Sequence, residues 1–414
     1  MNYKLLSVFV VALSTSLFCL AQTNQTSIVE DFEPSSINQP GQEYPKVNSQ
    51  GYARFRIVAP QAQNITVSFG LDGTPLTKAV DGSWMGTTSG PMDEGFHYYH
   101  LTIDGGLFND PGTLNFFGYA RLESGIEIPA KDEEFYALKN VPHGQLRENQ
   151  YFSKTSNSVR RVYIYTPPGY DKDSKKYSVL YLQHGMGENE TGWDKQGCLG
   201  SIMDNLIAEG NSLPFIIVME NSSVNLGDIP RGPRNANIEK VAVAPVTGQT
   251  APQAARIGGI GGPMAEMNIT EQFERILIDD LIPYIESNFR VIADQPHRAM
   301  AGLSMGGMQT RLICLANLDK FSQIGIFSGG NINMDDVNKT PDFKEKVKLV
   351  FVSYGSRELK SYRTNDSFGG DPKVNSDELK EAGINSHFFV SPLTAHEWQT
   401  WRRSLHEFAP LLFR

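Results

Sequence analysis

Apolar and polar positions along the chain follow two different rhythms. From Gly51 to about Asp104 they form short β-like runs: "YARFRIVAP" and "NITVSFG" alternate, and "GSWMGTT" and "GFHYYHLTIDG" follow at short intervals, separated by Gly, Pro and Asp. Alternation places every second side chain on one face, so each run predicts a half-buried strand. Several such strands at this spacing predict a β-sandwich of about a hundred residues. From Ser158 the runs are apolar along their length: "RRVYIYTPPGY", "YSVLYLQHG", "FIIVME", "AMAGLS", "KLVFVSYG" and "SHFFVSP". Strands apolar on both faces belong to a covered, mainly parallel sheet. Between them lie helical stretches, Ile202 to Ala208 and Ile269 to Phe289. In the second, Phe273, Ile276, Leu277 and Leu281 recur at 3.6-like spacing, and Asn268 with Glu271 resembles a capping box. Alternating strands and helices predict an α/β domain.

The expected division is therefore 1–21 leader, 22–50 polar lead-in, 51–140 sandwich, 141–157 join and 158–414 α/β domain. Asn221 to Met267 is Gly- and Pro-rich without periodicity, which predicts a lid or an insertion. At the start, Lys4 precedes an apolar stretch from Leu5 to Leu20, and Cys19-Leu20-Ala21 has small-x-small form. That pattern predicts a signal peptide cleaved after Ala21 and a secreted or periplasmic protein, with no stable membrane span.

The chain carries 46 acidic against 37 basic residues, a formal charge of −9. No basic surface is available to neutralise phosphates, which argues against a nucleic-acid partner. Of the three cysteines, Cys198 and Cys314 would remain after cleavage, too few for a disulfide framework and without metal-ligand spacing. Cys314, in an apolar run, reads as a buried small hydrophobe.

The candidate chemistry starts at "HRAMAGLSMGGMQTRLI", where Ser304 stands between Gly302 and Gly306 after a buried strand and before a helical run. A G-x-S-x-G at such a junction is the form of a nucleophile elbow, and hydrolases built this way order their triad Ser, Asp or Glu, His. Serine is a weak nucleophile and needs an imidazole to take its proton. A carboxylate must fix that imidazole's tautomer. His396 follows the last predicted strand and is the expected base. Glu358, just beyond "LVFVSYGSR", is the expected acid, with Asp366 and Asp371 as rivals. The N–H groups of Met305 and Met186 are placed to form an oxyanion hole. His184 is expected to orient that loop, and the other six histidines read as structural or exposed. Trp193 and Trp398 fit either a packed core or a substrate cleft. No metal and no cofactor is expected.

Four segments together resemble the esterase-D-like α/β-hydrolases of carbohydrate esterase family one: "RRVYIYTPPGYDKDSKKYSVLYLQHGMGENETGW", "PHRAMAGLSMGGMQT", "FSQIGIFSGG" and "AHEWQTWRRSLHEFAPLLF". The front region is similar to the early-set immunoglobulin-like sandwich that precedes such enzymes. The resemblance implies feruloyl or acetylxylan ester hydrolysis through an acyl-enzyme on Ser304, with acylated plant polysaccharide as partner. It departs from the family in offering Glu358 where aspartate is common, and in the long insertion after "IIVME". Other readings are a siderophore (enterochelin-type) esterase, or an inactive carbohydrate-binding protein.

Overall fold

The structure is a computed structural model that describes residues 27–70, 72–223, 263–359 and 370–414. The proposed leader, Asp366 and nearly all of the Asn221 to Met267 segment lie outside the described residues. Among the described residues, no helix is long and apolar enough to cross a membrane.

Among the described residues, the front of the chain forms two antiparallel sheets of five and six strands. The alternation works as read. In Ala53–Val58, Ala53, Phe55 and Ile57 are buried while Arg54, Arg56 and Val58 face outward. Phe55 shares one core between the sheets with Val67, Tyr99, Leu101 and Ile126. The sandwich begins earlier than expected. Inside the predicted lead-in, Lys46–Val47 pairs onto Ala53–Val58 and Glu33–Pro34 pairs onto Lys46–Val47 as the edge strand. Two-residue strands are too short to leave a hydrophobic period.

The second part is built on eight strands: β1 (Gln145–Ser153), β2 (Ser158–Thr166), β3 (Val179–Gln183), β4 (Ile216–Glu220), β5 (Arg298–Leu303), β6 (Gln323–Phe327), β7 (Leu349–Gly355) and β8 (Ser386–Ser391). Their order is β1-β2-β4-β3-β5-β6-β7-β8. The pairs from β4 to β8 are parallel, and β1 and β2 run antiparallel at one edge. This is the α/β-hydrolase arrangement. β1 occupies most of the segment read as a join. It is an edge strand largely open to solvent, so polar residues suffice and the apolar signature is absent. The interior strands separate two cores by simple alternation. Val179, Tyr181, Ile216 and Val218 face one core; Leu180, Leu182, Ile217 and Met219 face the other.

Helices cover both faces, among them α1 (Leu199–Ala208), α2 (Pro263–Ile276), α3 (Met305–Ala316), α4 (Pro372–Glu381) and α5 (Trp398–Phe408). The predicted capping box does not start α2, which begins at Pro263, five residues before Asn268. Proline suits a first turn because its missing N–H would have no partner there. α2 runs through a π-helical turn, Leu277–Leu281, into Ile282–Asn288. Pro283 just beyond it cannot donate to the preceding turn, which accounts for the widened step.

α5 joins the two parts. Arg402, 1% exposed, makes two bonds to Glu127 of the sandwich at 2.6 and 3.1 Å and one to the Gln196 carbonyl at 2.8 Å. Arg403 binds Asp132 at 2.6 and 2.8 Å. Phe96 and Phe116 of the sandwich enter the core beneath α5.

Candidate active site

β5 ends at Leu303 and α3 begins at Met305, so one residue makes the whole turn. Ser304 takes it at φ 52° and ψ −118°, a conformation that side chains rarely adopt and that costs roughly 1–3 kcal/mol. Strand and helix then cross so closely that a Cβ on Gly302 would lie 2.5 Å from the Gly306 backbone. One on Gly306 would lie 2.6 Å from the His184 carbonyl. The two glycines are therefore a steric requirement, and the serine stands alone at the end of the sheet.

His396 Nε2 lies 2.9 Å from Ser304 Oγ, and His396 Nδ1 lies 2.7 Å from Glu358 Oε1. A carboxylate accepts, so Nδ1 carries the proton and Nε2 is left to accept from the serine. Glu358 is buried in the turn after β7. Its other oxygen accepts from Ser328 Oγ at 2.8 Å and from the Gly355 N–H at 2.7 Å. The Trp401 ring meets the imidazole edge-on at 5.1 Å. The rival Asp371 is occupied elsewhere: its side chain caps α4, accepting from the N–H groups of Lys373 and Val374.

Met305 is the first residue of α3, so its N–H has no acceptor within the helix. Met186 lies in the turn after β3, beside the elbow, and both Met186 and Ser304 line the cleft. His184 is buried; its Nδ1 donates to the Gly185 carbonyl at 2.7 Å and its Nε2 accepts from the Ser222 N–H at 3.0 Å. Burial lowers its pKa, in keeping with a neutral ring bridging two backbone segments.

The cleft has a volume of about 440 Å³. One wall is Glu397, Trp398, Trp401 and His396; the other is supplied by the sandwich, with Phe69, Met92, His97, Tyr98 and Tyr119. Trp193 does not reach it. The Trp193 indole N–H donates to the Gln183 carbonyl at 2.9 Å, and the ring packs against Phe327 and Trp398 in the core. Trp398 reaches the cleft but is only 2% exposed, so it backs the wall more than it offers a surface. His97, read as structural or exposed, lines the cleft with Nε2 held 2.7 Å from the Asp93 carbonyl.

Sequence reasoning passed over Glu188, Trp401 and Tyr119. The signal for Glu188 was present, an acid directly after Gly185-Met186-Gly187. Its carboxyl is buried and accepts from the Gly185 N–H and the Tyr98 hydroxyl, both at 3.1 Å. Burial, opposed by those hydrogen bonds, pushes its pKa from 4.5 up to about 7; Tyr98, Tyr119 and His396 are the titratable groups near it. Between those two pH values the folded protein holds a proton that the unfolded chain releases, so this group's contribution to stability falls as pH rises. Glu188→Gln has no such loss. Its unfolding free energy relative to wild type should shift in the variant's favour by on the order of 3 kcal/mol from pH 4 to pH 8, measured by chemical denaturation. An unchanged difference would show that the carboxyl titrates alike in the folded and unfolded chain.

The fold and this serine-histidine-glutamate arrangement are those of the α/β-hydrolase class. The family model described as "Putative esterase" matches residues 153–410, and the chain belongs to that family. Among curated proteins it is 47% identical over 393 residues to an "Endo-1,4-beta-xylanase/feruloyl esterase" of Xylanibacter ruminicola, covering 93% of this chain. The chain spans about half, 48%, of that relative's length. Among solved structures, an enterobactin esterase of Shigella flexneri aligns with a TM-score of 0.57 at 14% identity, over 87% of this chain and 92% of that one. A ferulic acid esterase of Anaeromyces mucronatus aligns with a TM-score of 0.49 at 22% identity, over 69% and 96%.

Proposed function

We propose that this protein is a serine esterase that removes feruloyl or acetyl groups from plant cell-wall xylan. The observation that carries the reaction type is the Ser304–His396–Glu358 chain, with bonds of 2.9 and 2.7 Å at the floor of an open cleft. Ser304 Oγ attacks the ester carbonyl carbon while His396 Nε2 takes its proton. The carbonyl oxygen becomes an oxyanion that the Met305 and Met186 N–H groups stabilise. As the oxyanion collapses and the acyl C–O bond breaks, the imidazolium gives its proton to the departing sugar oxygen, which leaves as a hydroxyl and leaves an acyl-enzyme. Water, deprotonated by the same nitrogen, then releases the acid and restores the serine. No metal or cofactor takes part.

The substrate class is supported by the 47% identity to a protein named as xylanase and feruloyl esterase. The apolar stretch from Leu5 to Leu20 supports export through a signal cleaved after Ala21. The test is a parallel assay on methyl ferulate, acetylated xylan and a catecholate siderophore ester. Turnover of the first or second, at least tenfold above the third in kcat/KM, is expected. Preference for the siderophore ester would replace the xylan reading while keeping the mechanism.

A further inference from the structure

The turn that carries the Met186 N–H is gripped from both parts of the molecule. From the hydrolase side, the Gly185 carbonyl accepts from His184 Nδ1 at 2.7 Å and from the Glu188 N–H at 3.2 Å. From the sandwich side, the Ala120 N–H donates to the Gly187 carbonyl at 2.8 Å. Gly187 has φ 77°, and a Cβ there would press on the Tyr119 and Ala120 backbone at 3.2 Å, so the contact is tight.

Glu188 ties these together. One oxygen takes the Gly185 N–H and the other takes the Tyr98 hydroxyl. That hydroxyl has one proton to give. It already accepts from Gln196 Nε2 at 2.5 Å and Trp398 Nε1 at 3.4 Å. The alternative acceptor, the Phe117 carbonyl, is further away at 3.3 Å and already takes a bond from Gln196 at 3.0 Å. The Met186 side chain, half exposed, cannot anchor the turn itself. A buried carboxyl is costly to fold around unless its bonds are needed.

We propose that Glu188 is a positioning residue for the oxyanion site, and that the sandwich, through Tyr98 and Ala120, is part of the device that sets kcat. This rests on the roles given above to Ser304 and the Met186 N–H. Loss of a whole oxyanion donor costs about 10²–10³ in kcat, and misplacing one should cost less.

The experiment compares Glu188→Gln, Tyr98→Phe and the double variant on p-nitrophenyl acetate, a substrate too small to need the cleft walls. It also measures inhibition by phenylboronic acid, whose serine adduct presents an oxygen to the oxyanion site. At pH 8, where Glu188 is ionised, Glu188→Gln should lower kcat about 10- to 100-fold with KM within about twofold, and weaken boronate inhibition by a similar factor. Tyr98→Phe should act in the same direction, several-fold. The double variant should be no worse than Glu188→Gln, because both remove one linkage. Unchanged kcat in both single variants, or a fall in kcat with boronate affinity intact, would overturn the proposal, as would additive losses. If Glu188→Gln does not fold, Tyr98→Phe decides by the same two readouts. A Ser304→Ala variant that stayed active would sink the serine mechanism itself. An inactive Ser304→Ala beside wild-type-like Glu188→Gln and Tyr98→Phe would sink this inference alone.

Discussion

Ser304→Ala is expected to lose turnover by a factor on the order of 10⁶, with folding intact. The residue contributes nothing to the core that alanine would not. Its Oγ has the imidazole as its hydrogen-bond partner, and its backbone already holds the elbow through the Ser304 N–H to Phe327 carbonyl bond at 2.8 Å. Removing Oγ therefore removes the proposed attacking atom and little else. The residual rate should come from direct attack of water on the ester, with the proposed oxyanion donors stabilising the charge that forms. Steady-state kinetics on an activated ester, with circular dichroism to confirm the fold, make the check. Wild-type-like hydrolysis would require a different nucleophile.

Glu358→Gln is expected to lower kcat by roughly 10²–10⁴ with KM little changed. The carboxylate accepts on both sides, from His396 on one oxygen and from Ser328 and Gly355 on the other. An amide cannot do this. If its oxygen faces Gly355, its NH₂ faces the imidazole and forces Nδ1 to become an acceptor. The proton then moves to Nε2, where it blocks the transfer from serine. If the amide is reversed, the NH₂ meets the Gly355 N–H instead and the turn is disturbed. Glu358→Asp should restore part of the loss, since the charge returns on a shorter arm. Asp371→Asn should keep near-normal kcat, because that side chain's bonds are to the start of α4. A crippled Asp371→Asn or Asp366→Asn beside an active Glu358→Gln would move the acid elsewhere.

Much of this site could be read in the sequence because its demands are local. The elbow needs small residues on both sides of one serine, whatever surrounds them, so Gly302 and Gly306 announce it. The order serine, acid, base follows from strand order, and each of the three residues stands just past an apolar strand that the hydrophobic pattern marks. The parallel strands were equally legible, being buried on both faces. What escaped was set by partners distant in sequence. β1 is polar because it lies at an edge, and nothing within Gln145–Ser153 records that Ser158–Thr166 folds back on it. Glu188 reads as one more acid in "GENETGW" until Tyr98, 90 positions earlier, is brought against it. The two tryptophans fail for the same reason. Trp193 and Trp398 are alike in composition, and only their packing shows that one is enclosed while the other backs the cleft.

The buried pairing of Arg402 with Glu127 also bears on how such a protein can change over evolutionary time. A front domain is commonly treated as an exchangeable module, gained or lost by recombination at a linker. Here the last helix of one part carries a guanidinium whose carboxylate partner is encoded some 275 positions upstream, in the other. A recombinant that exchanged the front without supplying an acid at that place would strand a cation in an apolar interior, a loss of about 3–5 kcal/mol. Lineages with this arginine should therefore inherit both parts together, and a newly acquired front would first have to lose the arginine or arrive with its counter-charge.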